Sequence, residues 1–211
     1  MRHTVSKRVA VLGASGRTGR LVVSAAIGAG HDVVALVRQA GSLPRQPQVR
    51  EAVWARPTDQ ETLAAALEGV DVVISALGGA AKGPTTVCGD AIRTVLPAMG
   101  VAGVRRLIAV SAYGVLETHD GSLYATAVWA GVGDRMKDKE TMERLIVDSS
   151  LDWTIVRPPA LRDGPVTGRY RVGTGLRVHL WSSVGRADLA DFLVHEADEP
   201  RFVREQPRVL R

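Results

Sequence analysis

The chain has 211 residues, 45% hydrophobic and 23% charged, which excludes a disordered polypeptide and fits one α/β domain spanning residues 1–211. Its formal net charge of +5 comes from arginines scattered along the chain, the pattern of a basic surface rather than of a nucleic-acid groove. Cys88 is the only cysteine, so no internal disulfide is possible, and no apolar stretch reaches the ~18 residues of a membrane span; both fit a cytoplasmic protein with no membrane or nucleic-acid partner.

Residues 8–12 (R-V-A-V-L) read as a buried strand that ends at a glycine. Residues 17–28 carry Leu21, Val22, Ala25 and Ala26 at helical spacing, and 32–37 (D-V-V-A-L-V) form a second buried strand. The Gly- and Pro-containing stretch 39–48 is a loop, 49–54 a short strand and 59–67 a short helix stopped by Gly69. A fourth strand over 70–76 precedes a helix over 85–99, in which Pro97 is expected to kink or shorten the end. A strand over 106–110 ends at Ser111, and 117–133 is irregular, a candidate lid. A helix over 134–149 follows, then a strand over 153–156 stopped by Pro158 and Pro159, and a last helix over 186–196. Apolar strands alternating with amphipathic helices imply a single doubly wound, mainly parallel sheet with helices on both faces, the Rossmann arrangement.

Gly13-Ala14-Ser15-Gly16-Arg17-Thr18-Gly19 fits G-x-x-G-x-x-G. It follows the first strand directly and opens the first helix, the context in which such a loop cradles a pyrophosphate on backbone N–H groups at a helix N-terminus. A dinucleotide is therefore expected. Folds that bind NAD place Asp or Glu at the end of the second strand to hold the ribose 2′-hydroxyl. Arg38 stands there instead, with Arg17 in the loop, a pairing that suits the 2′-phosphate of NADP(H). No Gly-Lys-Ser/Thr follows the loop, so it is not a P-loop.

Three other residues carry chemistry. Ser111 ends a central strand, where ligands of doubly wound sheets sit. Lys139 shares a helix face with Met136, Met142 and Ile146, so it either snorkels out or points at something buried, a ribose hydroxyl or a carboxylate such as Glu143. Tyr113, two residues beyond Ser111, is placed to shape the substrate pocket. His119, His179 and His195 have no partner at metal-ligand spacing, so no metal is expected, and Cys88 reads as a small buried hydrophobe.

The glycine loop, V-A-L-V-R, V-D-V-V-I-S-A-L-G-G, G-P-T-T-V, V-R-R-L-I-A-V-S-A-Y-G and L-D-W-T-I-V-R-P-P occur in an order that resembles one family. It is the atypical short-chain dehydrogenases with NmrA-like NAD(P)H-binding domains, and within them the NADPH-dependent flavin reductase/biliverdin-IXβ reductase type. The resemblance implies that Gly13, Ser15, Gly16, Arg17, Thr18 and Arg38 contact the adenosine phosphates. It implies that Leu77 and Gly78 line the adenine side, that Ser111, Ala112 and Pro158 lie near the nicotinamide, and that the C-terminal part forms the substrate pocket. The chain departs from the pattern in three places. None of Tyr113, Tyr124 and Tyr170 has a lysine four residues later, so the Tyr-x-x-x-Lys pair of carbonyl reduction is missing. Ala160 replaces the histidine that follows Pro-Pro in the flavin and biliverdin reductases, and Ala55-Arg56 replaces Gly-Asp after the third strand. The expected activity is hydride transfer from NADPH to a conjugated small-molecule acceptor such as free flavin or a quinone, by a monomer or weak homodimer. The alternatives are a non-catalytic NADP(H) sensor and a tailoring reductase or epimerase.

Overall fold

The computed structural model describes residues 5–79 and 83–211. In chain order the elements are β1 (Arg8–Leu12), α1 (Arg17–Gly28), β2 (Asp32–Val37), β3 (Val49–Val53), α2 (Gln60–Ala66), β4 (Val72–Ser75) and α3 (Val87–Ala102). β5 (Arg106–Val110), a 3-10 turn over Leu116–Thr118, α4 (Leu123–Val147) and β6 (Asp152–Val156) follow. The last part holds β7 (Ala160–Arg162), β8 (Arg171–Gly173), β9 (Ser183–Gly185), α5 (Arg186–Asp198) and β10 (Arg208–Leu210).

The first six strands form one all-parallel sheet in the order β3-β2-β1-β4-β5-β6. The order reverses between β1 and β4, and that crevice at the strands' C-terminal ends is where a Rossmann sheet takes its ligand. Successive side chains of a strand point to opposite faces, so β1 feeds two cores. Ala10 and Leu12 join the side covered by α2, α3 and α4, with Leu63, Ile92, Met99, Met142 and Ile146. Val9 and Val11 join the side covered by α1 and α5, with Val22, Leu189 and Leu193. Burial on both faces explains why β1, β2, β4 and β5 read as nearly unbroken apolar runs, whereas the edge strand β3 (V-R-E-A-V) is half-exposed.

Three expectations need correction. The segment 117–133 is not wholly irregular: α4 begins at Leu123, capped by Ser122 Oγ on the Ala125 N–H, and bends at Val132 between two glycines. Pro97 does not end α3, which runs on to Ala102 because Ala98 and Met99 are fully buried. Its end comes at Gly103 (φ +71), with the Val104 N–H on the Met99 carbonyl at 2.9 Å. Four short strands went unread: β7 pairs in parallel with β9, and β8 antiparallel with β10. No described helix is long and apolar enough to cross a membrane.

Candidate functional site

The glycine loop is a turn that tolerates almost no side chains. Gly13 has φ +73, and a Cβ there would meet the Ala76 carbonyl oxygen at 3.2 Å and Leu77 at 3.3 Å. The Gly16 N–H returns to the Gly13 carbonyl at 2.9 Å, closing the turn. Gly19 is the tightest: a Cβ would lie 2.1 Å from the Gly13 oxygen, so only glycine lets α1 seat against the end of β1. Gly16 caps α1 without any side-chain hydrogen bond. The first amides of that helix, from Arg17, Thr18 and Gly19, therefore have no intrahelical acceptor and point into the crevice, a ready anion site. Ser15 and Thr18 are half-buried beside them. Arg20, which sequence reasoning passed over, fastens the loop: its guanidinium donates to the Ser15 carbonyl at 2.9 Å and to the Ser42 carbonyl at 2.8 Å.

Arg38 stands just past β2, exposed and without a hydrogen-bond or ion-pair partner among the described residues. The carboxylate that reaches this corner is Glu51 of β3. It is consumed on two backbone donors, the Gly41 N–H at 2.6 Å and the Leu43 N–H at 2.7 Å. That contact orders the loop behind Arg38 and leaves the corner positive. Arg17 pairs instead with Asp163 just past β7, so the two arginines do not share a neighbour.

At the ends of β4 and β5, Lys139 lies on the inner face of α4 with only 8% of its surface exposed, beside the buried Met136, Met142 and Ile146. Its ammonium donates to the Leu77 carbonyl at 2.9 Å and the Val110 carbonyl at 2.6 Å, bolting the two strand ends together. Sulfur groups lie on its remaining side, the Met142 thioether at 3.9 Å, a weak acceptor, and the Cys88 thiol, and no carboxylate pairs with it among the described residues. The carboxylate alternative raised by the Lys139–Glu143 spacing is overturned, because fully buried Glu143 faces Arg157, whose Nη2 lies 2.5 Å from Oε2. Asp138 is spent capping α3, on the Cys88 and Gly89 N–H groups at 3.0 and 2.8 Å. Cys88 is buried, and burial pushes its thiol pKa up. Leu77 is half-buried and Gly78 exposed at the mouth of the same crevice.

Ser111 follows β5 directly, with its N–H on the Val156 carbonyl at 2.8 Å. Its hydroxyl is buried with no hydrogen-bond partner. An unsatisfied buried hydroxyl is costly, which makes Ser111 a candidate for hydrogen bonding to a ligand atom. Ala112 is half-buried next to it, and buried Pro158 gives its carbonyl to the Tyr113 N–H at 2.9 Å. The Tyr113 hydroxyl is already committed, donating to Asp120 at 3.0 Å, while the Arg208 guanidinium lies 5.1 Å from its ring centre. Burial, and then Asp120, push the Tyr113 pKa up; burial takes Tyr124 to about 12. Tyr113 and Tyr124 meet edge to face at 5.6 Å and pack with Val128, Leu176, Val178 and Leu210 in a small apolar cluster. His119 and His179 stack on Trp129 and Trp181. A separate cavity of about 560 Å³ lies between α1 and α5, lined by Leu21, Ala25, Pro165 and His195, away from the strand ends.

The glycine loop with the uncapped α1 N-terminus is an arrangement of the kind that holds a dinucleotide, and Arg38 and Ser111 are candidate donors beside it. Residues 13–200 match the NAD(P)H-binding domain family, and the chain belongs to it. Its cofactor is accordingly a nicotinamide dinucleotide. The chain is 33% identical to a 3-diazoavenalumate denitrifying reductase from a Streptomyces species, over 81% of this chain and 62% of that protein. It is 29% identical to the uncharacterized sugar epimerase YhfK of Bacillus subtilis, over 91% of this chain and 88% of that one. Among solved structures, the anaerobilin reductase ChuY from Escherichia coli O157:H7 superposes with a TM-score of 0.81 at 27% identity, over 96% of each chain. These likenesses agree with the atypical short-chain dehydrogenase resemblance and with an NAD(P)H-dependent oxidoreductase-type protein acting on a small molecule.

Proposed function

We propose that the chain, acting as one domain, is an NADPH-dependent reductase that passes hydride to a planar conjugated acceptor such as free flavin or a quinone. The observation that carries this reading is that neither buried tyrosine of the cluster beyond β5, Tyr113 or Tyr124, is an activated acid. A carbonyl that receives hydride becomes an alkoxide and needs a proton donor in place, commonly a tyrosine whose pKa a lysine lowers. Here Tyr113 and Tyr124 are both weaker acids than free tyrosine, and Lys139 is tied to two carbonyls. A flavin or quinone spreads the added charge over its rings and takes its proton from water, so the protein's part is orientation.

The bound cofactor supplies the hydride; the rest is positioning. The α1 amides hold the pyrophosphate, and Arg38 faces the 2′-phosphate, which favours NADPH over NADH. Lys139 offers its remaining donor to a ribose hydroxyl. Ser111, with Ala112 and Pro158 around it, orients the nicotinamide amide or the acceptor. Leu77 and Gly78 line the cleft between. The acceptor lies against the ring of Tyr113. Two relatives being named reductases supports the reaction class without naming the acceptor.

The test is NADPH oxidation at 340 nm with FMN, quinones, aldehydes and ketones in parallel. The expected result is turnover with flavin or quinone and poor turnover with simple carbonyls. Robust ketone reduction without flavin or quinone activity overturns the acceptor. Tight NADPH binding with no turnover on any acceptor points instead to a cofactor sensor.

A further inference from the structure

Asp163 lies in the exposed segment 162–169, which links β7 towards β8. It accepts from two guanidiniums: Arg17, the first residue of α1, and Arg186, the first residue of α5, the latter at 2.8 Å. Neither helix has a side-chain cap on its N-terminus. The one acidic residue in the first turn of α5, Asp188, is used elsewhere. It accepts from the Thr167 N–H at 2.6 Å, the Thr167 hydroxyl at 2.8 Å and the Gly168 N–H at 3.0 Å. The segment is therefore pinned twice. Its far end is held by Asp188, away from the glycine loop. Its near end is held by a carboxylate on an arginine of the loop that cradles the cofactor.

From this arrangement we propose that Asp163 is an internal surrogate for a cofactor phosphate: its carboxylate occupies Arg17 until the dinucleotide displaces it, and Asp163 thereby sets cofactor affinity. The proposal rests on the family's cofactor and not on the acceptor. The energetics favour exchange. Arg17 and Asp163 have side chains 69% and 63% exposed, so water and salt screen their attraction. Such surface pairs are worth up to about 1 kcal/mol, roughly fivefold in a binding constant. A phosphate offers the guanidinium a bidentate partner with more charge, and the α1 amides add their own donors. Arg186, only 15% exposed, keeps its hold on Asp163 and limits how far the freed end travels.

The test compares wild type with Asp163→Asn by titration with NADPH and with NADH, watching cofactor fluorescence at low salt. The expected result is binding about two- to fivefold tighter in the variant. The gain should vanish in an Arg17→Ala background. A gain that persists without Arg17 would be general electrostatics and would overturn the proposal. Equal affinity in the variant and wild type overturns it as well. Weaker binding in Asp163→Asn also overturns it, because it means that Arg17 and Asp163 close over the bound cofactor as a clamp. Hydrogen exchange gives a second readout on unmodified protein. The amides of Arg162, Asp163, Gly164 and Val166 should exchange faster when NADPH binds, while those of Thr167 and Gly168 stay protected by Asp188. Slower exchange at 162–166 on binding counts against displacement.

Discussion

On the glycine-loop side of the cleft, the working parts are neighbours in sequence; on the side formed by the ends of β5 and β6, they come from distant segments. Gly16, Gly19 and Arg20 belong to one strand–turn–helix unit, and their contacts are within that unit or with the next loop. By contrast, Lys139 reaches Leu77, 62 residues back, and Arg157 reaches Glu143 and Glu117, 14 and 40 residues away. A local unit is specified by steric rules that any homologous turn obeys. A long-range assembly is specified by buried charge, where each group must find one particular partner. The first side should fail when a side chain is added, the second when a charge is left alone.

The largest effect is expected at Arg157. It is 2% exposed and faces a fully buried carboxylate, Glu143, with Glu117 of the 3-10 turn as its second partner. Arg157→Ala leaves Glu143 uncompensated in the core and should cost about 3–5 kcal/mol of stability, read as a fall in the chemical-denaturation midpoint. Arg157→Met combined with Glu143→Leu should recover most of that loss, since an apolar pair of similar volume carries no desolvation cost. If the double variant is no better than the single one, the ion pair is not what makes this side fragile.

Gly19→Ala comes next and tests the opposite failure. The new Cβ would fall 2.1 Å from the Gly13 oxygen, so α1 must shift away from β1, at a cost of about 1–3 kcal/mol typical of overpacking. Cofactor binding should be lost with it. Gly16 separates packing from ligand binding. Its Cβ would come no closer than 3.2 Å to the Gly13 oxygen, so Gly16→Val should leave the circular dichroism spectrum intact and still block NADPH. Normal NADPH binding by a folded Gly16→Val protein would show that this loop is not the cradle.

Arg38→Asp follows. Loss of a charge-assisted contact to the 2′-phosphate should cost about 1.5–3 kcal/mol, roughly 10- to 150-fold in NADPH affinity, and the preference over NADH should vanish or reverse. Because Arg38 holds no other residue, stability should stay unchanged. Equal affinity of the wild type for both cofactors would sink the selectivity argument at once.

What the sequence made legible divides along the same line. The six core strands and most helix positions can be read within a few residues, because strands buried on both faces are continuous apolar runs and α1 has a clear stripe. The glycine loop and Arg38 are equally plain, since their meaning depends on position along one βαβ unit. The first half of α4 is not, because Tyr124 and Val128 lie in a stretch interrupted by Gly131 and Gly133 and pack in the small cluster with Tyr113, Val178 and Leu210 instead of on the sheet. The paired three-residue strands carry no period of their own and exist only through non-local pairing. The Lys139–Glu143 spacing misled for a related reason: helix geometry places the two side chains on one face, but the partner of Glu143 is Arg157, just past β6. Asp163 could have been noticed only as a lone acid in an arginine-rich segment.

Ser111 provides the smallest expected effect and the finest probe of the charge-dependent side, because there a polar group is left alone already. In most cores, removing a hydroxyl strands its partner and destabilises the fold. The Ser111 hydroxyl has no partner to strand, so Ser111→Ala should leave stability equal or slightly raised, as a thermal or denaturant midpoint will tell. If the hydroxyl orients the nicotinamide or the acceptor, turnover should fall about tenfold, equivalent to about 1.4 kcal/mol in the barrier. Cofactor affinity should change far less, since the phosphate contacts lie at the glycine loop. A stability loss with unchanged turnover would make Ser111 a structural group. A turnover loss with unchanged stability would show that the protein carries this buried unsatisfied group for its ligand.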